Sequence, residues 1–402
     1  MEQEEQGPPP PRILTTISHL EWLSERLHGE RRLAVDVESD GFFAYREKVC
    51  LIQISSEKED FIVDPLAAKD LSPLSRFMSD REVEKVFHAS EYDILCLKRD
   101  FGFRIHGVFD TMVAARILGE PKLGLAHLIG KHFGVHLSKK LQRANWGKRP
   151  LSPEHLEYAR MDTHYLLRLR DILERELEGR KLLKEAREAF GRLELLEHQA
   201  KEFDPQCYWR LPGAKELPPR TRAVLKELYF YRERKSAELN LAPFRVLSEP
   251  LLIKLASLAP ISYEDLGKAR GMTPYLYEHY GKELIEAMER GLCAQPEEEP
   301  PARPSNGDRW DGDTTRRYES LRQWRKEQAD KRGVNPVVIL DTDEVKSLAE
   351  APSRSTDPAT WLRSLSEYKK ELYGTELTAI LSVQAPPRAK RRRRKRKPAP
   401  AA

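Results

Sequence analysis

The chain has 402 residues, 40% of them hydrophobic and 33% charged, with a formal net charge of +5. That length supports two or three domains with cores of their own. No apolar run approaches the roughly 20 residues needed for a helical membrane span, so a membrane partner is not expected.

Four scattered cysteines, Cys50, Cys96, Cys207 and Cys293, form no CxxC pair, which argues against zinc and against a disulfide framework and fits a reducing compartment. The N-terminus, MEQEEQGPPPPR, is acidic and proline-rich, unlike the basic-then-apolar pattern of a signal peptide. A cytoplasmic protein is the expectation. The positive charge is concentrated at the other end, where Lys390–Lys397 (KRRRRKRK) is an unbroken run of cations. Without that run the remainder is mildly acidic, so the basicity belongs to a tethered arm suited to a polyanion.

In chain order, residues 1–12 read as a disordered tail. Arg32–Glu38 alternates, with Leu33, Val35 and Val37 on one face and Ala34, Asp36 and Glu38 on the other; period-two alternation predicts a strand. Val49–Ser55, Asp60–Val63 and Lys85–His88 read as three more strands. Helices are predicted over Glu91–Arg99, Thr111–Leu118 and Leu123–Phe133. A long one starts at Pro153, with Ser152 as N-cap and Glu154 in its first turn. This order predicts an α/β sandwich around a mixed sheet. Beyond about residue 200 the strand signals vanish and a repeat appears at an offset of 93 residues. Tyr231-Arg232 matches Trp324-Arg325, Pro243 matches Pro336, Leu247 matches Leu340, and Tyr280-Gly281 matches Tyr373-Gly374. Two copies of one small helical domain follow, joined by a linker rich in Pro, Glu, Gly and Asp.

The chemistry-bearing residues lie in the first part. Asp36 and Glu38 are two apart on a strand and therefore leave it on the same face. Two carboxylates on a strand otherwise apolar enough to be central invite a divalent cation, because burying them unpaired is expensive; a solvated edge strand is the competing account. Asp93 follows an apolar strand in the first turns of a helix, where the helix dipole alone would favour an acid. Asp110 shares that ambiguity, since it could simply cap the helix from Thr111. Tyr158 and Asp162, four apart, share a helix face, and taken alone they fit a core aromatic and a surface acid as well as a site.

A strand DxE, an Asp beyond a later strand and a YxxxD on the last helix of the domain form the ordered pattern of the DEDDy exonucleases. Together with Leu33–Asp64, FHASEYDIL, VFDTMVAARILG and NWGKRPLSPEHLEYARMDTHYLL, the chain resembles ribonuclease D, and the repeated units resemble HRDC domains. The resemblance implies a ribonuclease-H-like (DnaQ-like) exonuclease domain over 13–195. It implies HRDC domains over 210–292 and 316–384, while composition alone predicts the linker over 293–315 and a disordered basic tail over 385–402. It further implies that Asp36, Glu38, Asp93 and Asp162 hold two divalent cations, Mg²⁺ or Mn²⁺, that Tyr158 positions the attacking water, and that no organic cofactor is needed. The implied activity is 3′–5′ exoribonuclease action on RNA with a free 3′ end, tRNA precursors among the candidates. Single-stranded DNA is the alternative polymer, and a catalytically idle binding protein the third reading.

Tyr231-Arg232 and Trp324-Arg325 combine an aromatic with a cation on one helix, a pairing suited to stacking and phosphate contact; a core aromatic beside a solvated cation is the competing account. Lys390, Arg391, Arg392, Arg393 and Arg394 are the expected RNA contacts of the tail, with a nuclear localisation signal as its other use.

Overall fold

A computed structural model describes residues 10–199, 203–259, 261–298, 310–355 and 357–382. The chain divides into two compact units, 1–304 and 305–402. Among the described residues no helix is long and apolar enough to cross a membrane.

The first unit opens on a six-stranded sheet: β1 (Arg12–Leu14), β2 (Arg32–Ser39), β3 (Val49–Ser55), β4 (Asp60–Val63), β5 (Glu84–Phe87) and β6 (Val108–Asp110). The order across the sheet is β1-β4-β3-β2-β5-β6. The β2–β3 and β3–β4 pairs are antiparallel, and the remaining three are parallel. The expected mixed sheet is present; β6 is the short strand that the GVF run ahead of Asp110 suggests, and β1, at the other edge, is one strand more than the sequence suggested. β1 and β6 are three residues each, too short to display alternation.

β2 sits inside the sheet, and its two faces serve different purposes. Leu33, Val35 and Val37 enter a core with Leu20 and Leu23 of helix Ile17–Arg26, Leu74 and Phe77 of helix Ser72–Ser79, and Ile94 and Leu97 of helix Glu91–Phe101. The opposite face meets helix Pro153–His164 over a smaller core of Leu51, Ile62, Trp146 and Ala159. Ser152 caps that helix as expected, accepting from the His155 N–H, with Pro153 in the first turn. The helix is strapped to the sheet. Ser55 and Thr163 hydroxyls lie 2.7 Å apart, and His164 Nδ1 is 2.8 Å from Asp60 Oδ2. The predicted long helix is in fact two, Pro153–His164 and Leu166–Gly179, divided at Tyr165.

The helical repeat holds element by element. Helices beginning at Pro219, Pro243, Glu249 and Pro274 recur at Gly312, Pro336, Thr342 and Glu367, each shifted by the 93 residues found in the sequence. The first copy's core includes Tyr208 and Trp209, just ahead of the expected boundary at 210. This copy and the sheet domain belong to the same unit. Of the expected tails and linker, residues 1–9, 299–309 and 383–402 lie outside the described residues.

Candidate active site

The acid-bearing face of β2 is covered at one end by helix Pro153–His164, and this brings distant carboxylates together. Asp36, Glu38 and Asp162 each offer an oxygen within 4.8 Å of the others. Asp93 comes from the first turn of helix Glu91–Phe101 and is buried. Its charge acts on Glu38, and those of Asp36 and Asp162 act on it. Tyr158 stands one turn before Asp162. Its ring lies 5.8 Å from that of Trp146, and both Tyr158 and Asp162 line a cleft of about 280 Å³ with His136, Leu141, Glu157 and Met161.

Crowding four carboxylates in one place has an electrostatic consequence. Burial pushes Asp36 up to about 7. Burial, then the charges of Asp36, Asp162 and Asp93, push Glu38 up to about 10. Asp93 and Asp162 rise for the same reasons, burial first and neighbouring acids second. Among the described residues no Lys, Arg or His forms an ion pair with any of the four. An all-oxygen donor set whose charge lacks a counter-ion fits a hard divalent cation. The Tyr158 phenol is also raised, by burial and then by Asp162, Glu38 and Asp36. A phenol held above its ordinary range keeps its proton at neutral pH and has an O–H to donate.

Two further residues shape the site: Asp110, whose capping role the sequence offered, and Gln53, which was not singled out from it. Asp110 does cap helix Thr111–Ile117, accepting from the N–H groups of Met112 and Val113 at 2.8 and 2.9 Å. Its other oxygen accepts the Ser90 N–H and hydroxyl at 2.7 and 2.8 Å. It thereby fixes the turn that launches Asp93, in which Ala89 is held at φ +63°, a left-handed conformation unusual for alanine. Gln53 pairs with Asp36 across β2 and β3. It is fully buried, and among the described residues its amide has no hydrogen-bond partner. The signal for it was a lone polar residue in the apolar run VCLIQIS.

The structure corrects part of the expected nucleic-acid interface. Tyr231 is 1% exposed, Arg232 6% and Trp324 7%. Tyr231 and Trp324 fill the cores of their repeats, the Trp324 indole donates to Glu376 at 2.6 Å, and Arg232 is paired with Glu233. Aromatic rings buried in this way have no face left for a base. Arg325 is half-buried and donates to the Leu340 carbonyl at 3.2 Å. Lys390 and Arg391–Arg394 lie outside the described residues.

Fold and site together define a 3′–5′ exonuclease domain followed by two small helical domains. Residues 11–178 match the 3′-5′ exonuclease family, and residues 221–288 and 314–381 each match the HRDC domain. The chain is 30% identical over 293 residues to ribonuclease D of Gluconacetobacter diazotrophicus, covering 70% of this chain and 72% of that protein. It belongs to the ribonuclease D family. It is also 33% identical over 260 residues to the exosome complex exonuclease RRP6 of Saccharomyces cerevisiae, covering 61% of this chain but only 36% of the yeast protein. The catalytic core of RRP6 from Trypanosoma brucei superposes with a TM-score of 0.66 at 28% identity, over 72% of this chain and 82% of that one. Membership of this exonuclease class implies divalent-metal use, which the acidic cluster fits.

Proposed function

We propose that the chain removes nucleotides one at a time from RNA 3′ ends by hydrolysis, with Asp36, Glu38, Asp93 and Asp162 holding two divalent cations, Mg²⁺ or Mn²⁺. The observation that carries this reading is the meeting of three carboxylates within 4.8 Å at a cleft that also contains Tyr158. Mg²⁺ and Mn²⁺ are the ions that prefer such oxygen donors. When bound, such a pair lowers the pKa of the attacking water and offsets charge on the phosphate and the departing oxygen.

The protein's own contribution is placement. The pairing of β2 with β3 fixes Asp36 and Glu38, and the strapped helix carries Asp162 and Tyr158 as one rigid piece. The protonated Tyr158 donates its O–H to the water or to a phosphate oxygen, orienting the attack without taking a proton. RNAs with 3′ extensions, precursor tRNA among them, are the proposed substrates. The test is a parallel digestion of 3′- and 5′-labelled RNA and DNA oligomers of one sequence. The proposal expects early release of the 3′ label as mononucleotide and stepwise shortening of the 5′-labelled RNA. Internal cuts would overturn it, and a preference for DNA would replace RNA with DNA as the substrate.

A further inference from the structure

The loop joining β2 to β3, residues 40–48, leaves the site directly after Glu38 and runs into the first helical repeat. That repeat grips its backbone. The Ala242 N–H donates to the Phe43 carbonyl at 3.0 Å, Arg245 Nε donates to the Phe42 carbonyl at 2.6 Å, and the Arg46 N–H donates to Asn240 Oδ1 at 2.9 Å. The near end is tied down as well: the Asp40 carboxylate accepts the Lys48 N–H at 2.9 Å, and the Asp40 carbonyl accepts the Phe43 and Ala44 N–H groups at 2.7 and 2.8 Å.

On this rigid frame two aromatic rings stay open to solvent, Phe42 at 49% and Phe244 at 51% exposure. Each is accompanied by an arginine. The Arg143 guanidinium lies 5.6 Å from the Phe42 ring, and that of Arg245 lies 3.7 Å from Phe43 and 5.7 Å from Phe244. Neither Arg143 nor Arg245 forms an ion pair among the described residues, so the charge of each guanidinium is not neutralised by a carboxylate partner. Exposed rings beside unpaired cations, held on a backbone that needs no ordering, suit a flexible, stacked polyanion. Bases stack on the rings and phosphates meet the guanidinium groups.

The patch is also continuous with the acidic site. Phe42 is four residues from Glu38, so their Cα atoms are at most about 14 Å apart. The segment that delivers Arg143 continues to Trp146, whose ring lies against Tyr158, and to Gly147, which packs on Asp40. A stacked strand advances about 3.4 Å per nucleotide, so a chain whose end is at the carboxylates reaches Phe42 within about four nucleotides.

We propose that Phe42 and Phe244, flanked by Arg143 and Arg245, form a stacking platform built by both domains for the single-stranded nucleotides that precede the 3′-terminal one. The direction of the strand rests on the exonuclease reading above; the binding itself needs neither metal nor turnover.

The experiment is equilibrium binding by the full-length protein, in EDTA, of fluorescent single-stranded RNAs of three and twelve nucleotides. The parent is compared with the double variant Phe42→Ala/Phe244→Ala, its Phe→Leu counterpart and Arg143→Gln, each checked for an unaltered melting curve. Loss of two stacking rings should weaken the twelve-nucleotide RNA ten- to hundredfold and the trinucleotide much less, so that the advantage of length shrinks. The leucine pair should behave like the alanine pair. Arg143→Gln should flatten the slope of log affinity against log salt by about 0.7. Affinity within twofold of the parent, an equal loss for both lengths, or full affinity in the leucine pair would each overturn the platform. Because no turnover is measured, a parent that binds RNA through these rings but fails to digest it would sink the exonuclease reading alone.

Discussion

One carboxylate oxygen of Asp110 accepts both the backbone N–H and the hydroxyl of Ser90, while the other accepts from the first turn of the helix it caps. A single buried side chain thus joins the end of β6 to the turn that aims Asp93. Asp110→Asn replaces one acceptor with a donor that faces the Ser90 N–H. The variant should lose about 2 to 3 kcal/mol of stability, the cost of a broken buried charge-assisted hydrogen bond. Misplacement of Asp93 should also lower kcat at least tenfold. Urea unfolding in EDTA and single-turnover digestion measure the two effects separately.

Repulsion and burial at the acidic cluster make the metal-free fold sensitive to pH. Asp36 binds its proton up to about pH 7 in the folded chain, far above the ordinary carboxylate range. Between those values the folded state holds more protons than the unfolded one, so the contribution of this group to stability falls as pH rises from about 4 to 7. Asp36→Asn removes that penalty. Without metal at pH 8 the variant should be more stable than the parent by about 1 to 2 kcal/mol, allowing for residual solvent access, and the two should converge near pH 4. Adding Mn²⁺ should raise the melting temperature of the parent more than that of the variant. Melting curves across pH with EDTA or Mn²⁺ decide this; a parent more stable than Asp36→Asn at pH 8 without metal would contradict it.

The surroundings of Tyr158 favour its protonated phenol, and its proposed role is to donate a hydrogen bond. Tyr158→Phe should leave Mn²⁺ affinity within about twofold and lower kcat about ten- to hundredfold, within the range for a lost positioning donor. If phenolate were instead the working form, the parent would show an ascending alkaline limb in its pH–rate profile that the variant lacks.

Tyr231 and Trp324 belong to the cores of the two repeats. Tyr231→Ala and Trp324→Ala should cost about 3 to 5 kcal/mol each, as large-to-small changes in a packed core do. RNA affinity should fall only as the affected repeat unfolds. Denaturation followed by binding at a temperature where the variant is still folded separates these effects; weaker binding by an intact fold would return both residues to the interface.

Legibility in the sequence followed the range over which each signal acts. Asp36 and Glu38 could be read because strand alternation puts residues two apart on one face. The helical repeats could be read because a constant offset survives even where Tyr231 is replaced by Trp324. The bond from Asp110 to Ser90 could not, since it spans 20 residues and leaves no periodic trace. Gln53 needed the register of β2 on β3 before its place beside Asp36 existed. Tyr231 was ambiguous for a different reason: helix Pro219–Leu239 carries buried residues around much of its circumference, so no face of it marked solvent. The break at Tyr165 was hidden because no Gly or Pro marks it in the run RMDTHYLLRL.

On the proposed function, the carboxylates on β2, on helix Glu91–Phe101 and on helix Pro153–His164 hold the cations on which 3′-end trimming depends. The most direct test of this assignment is a time course with 5′-labelled single-stranded RNA, first in excess EDTA and then after Mn²⁺ is restored, for the parent and for Asp162→Asn. The parent should leave the RNA intact in EDTA and, on restoration, produce a ladder shortening by single nucleotides. Asp162→Asn should produce no ladder under either condition while still binding the RNA. Digestion that persists in EDTA, or an Asp162→Asn variant that trims at the parent's rate, would contradict the account.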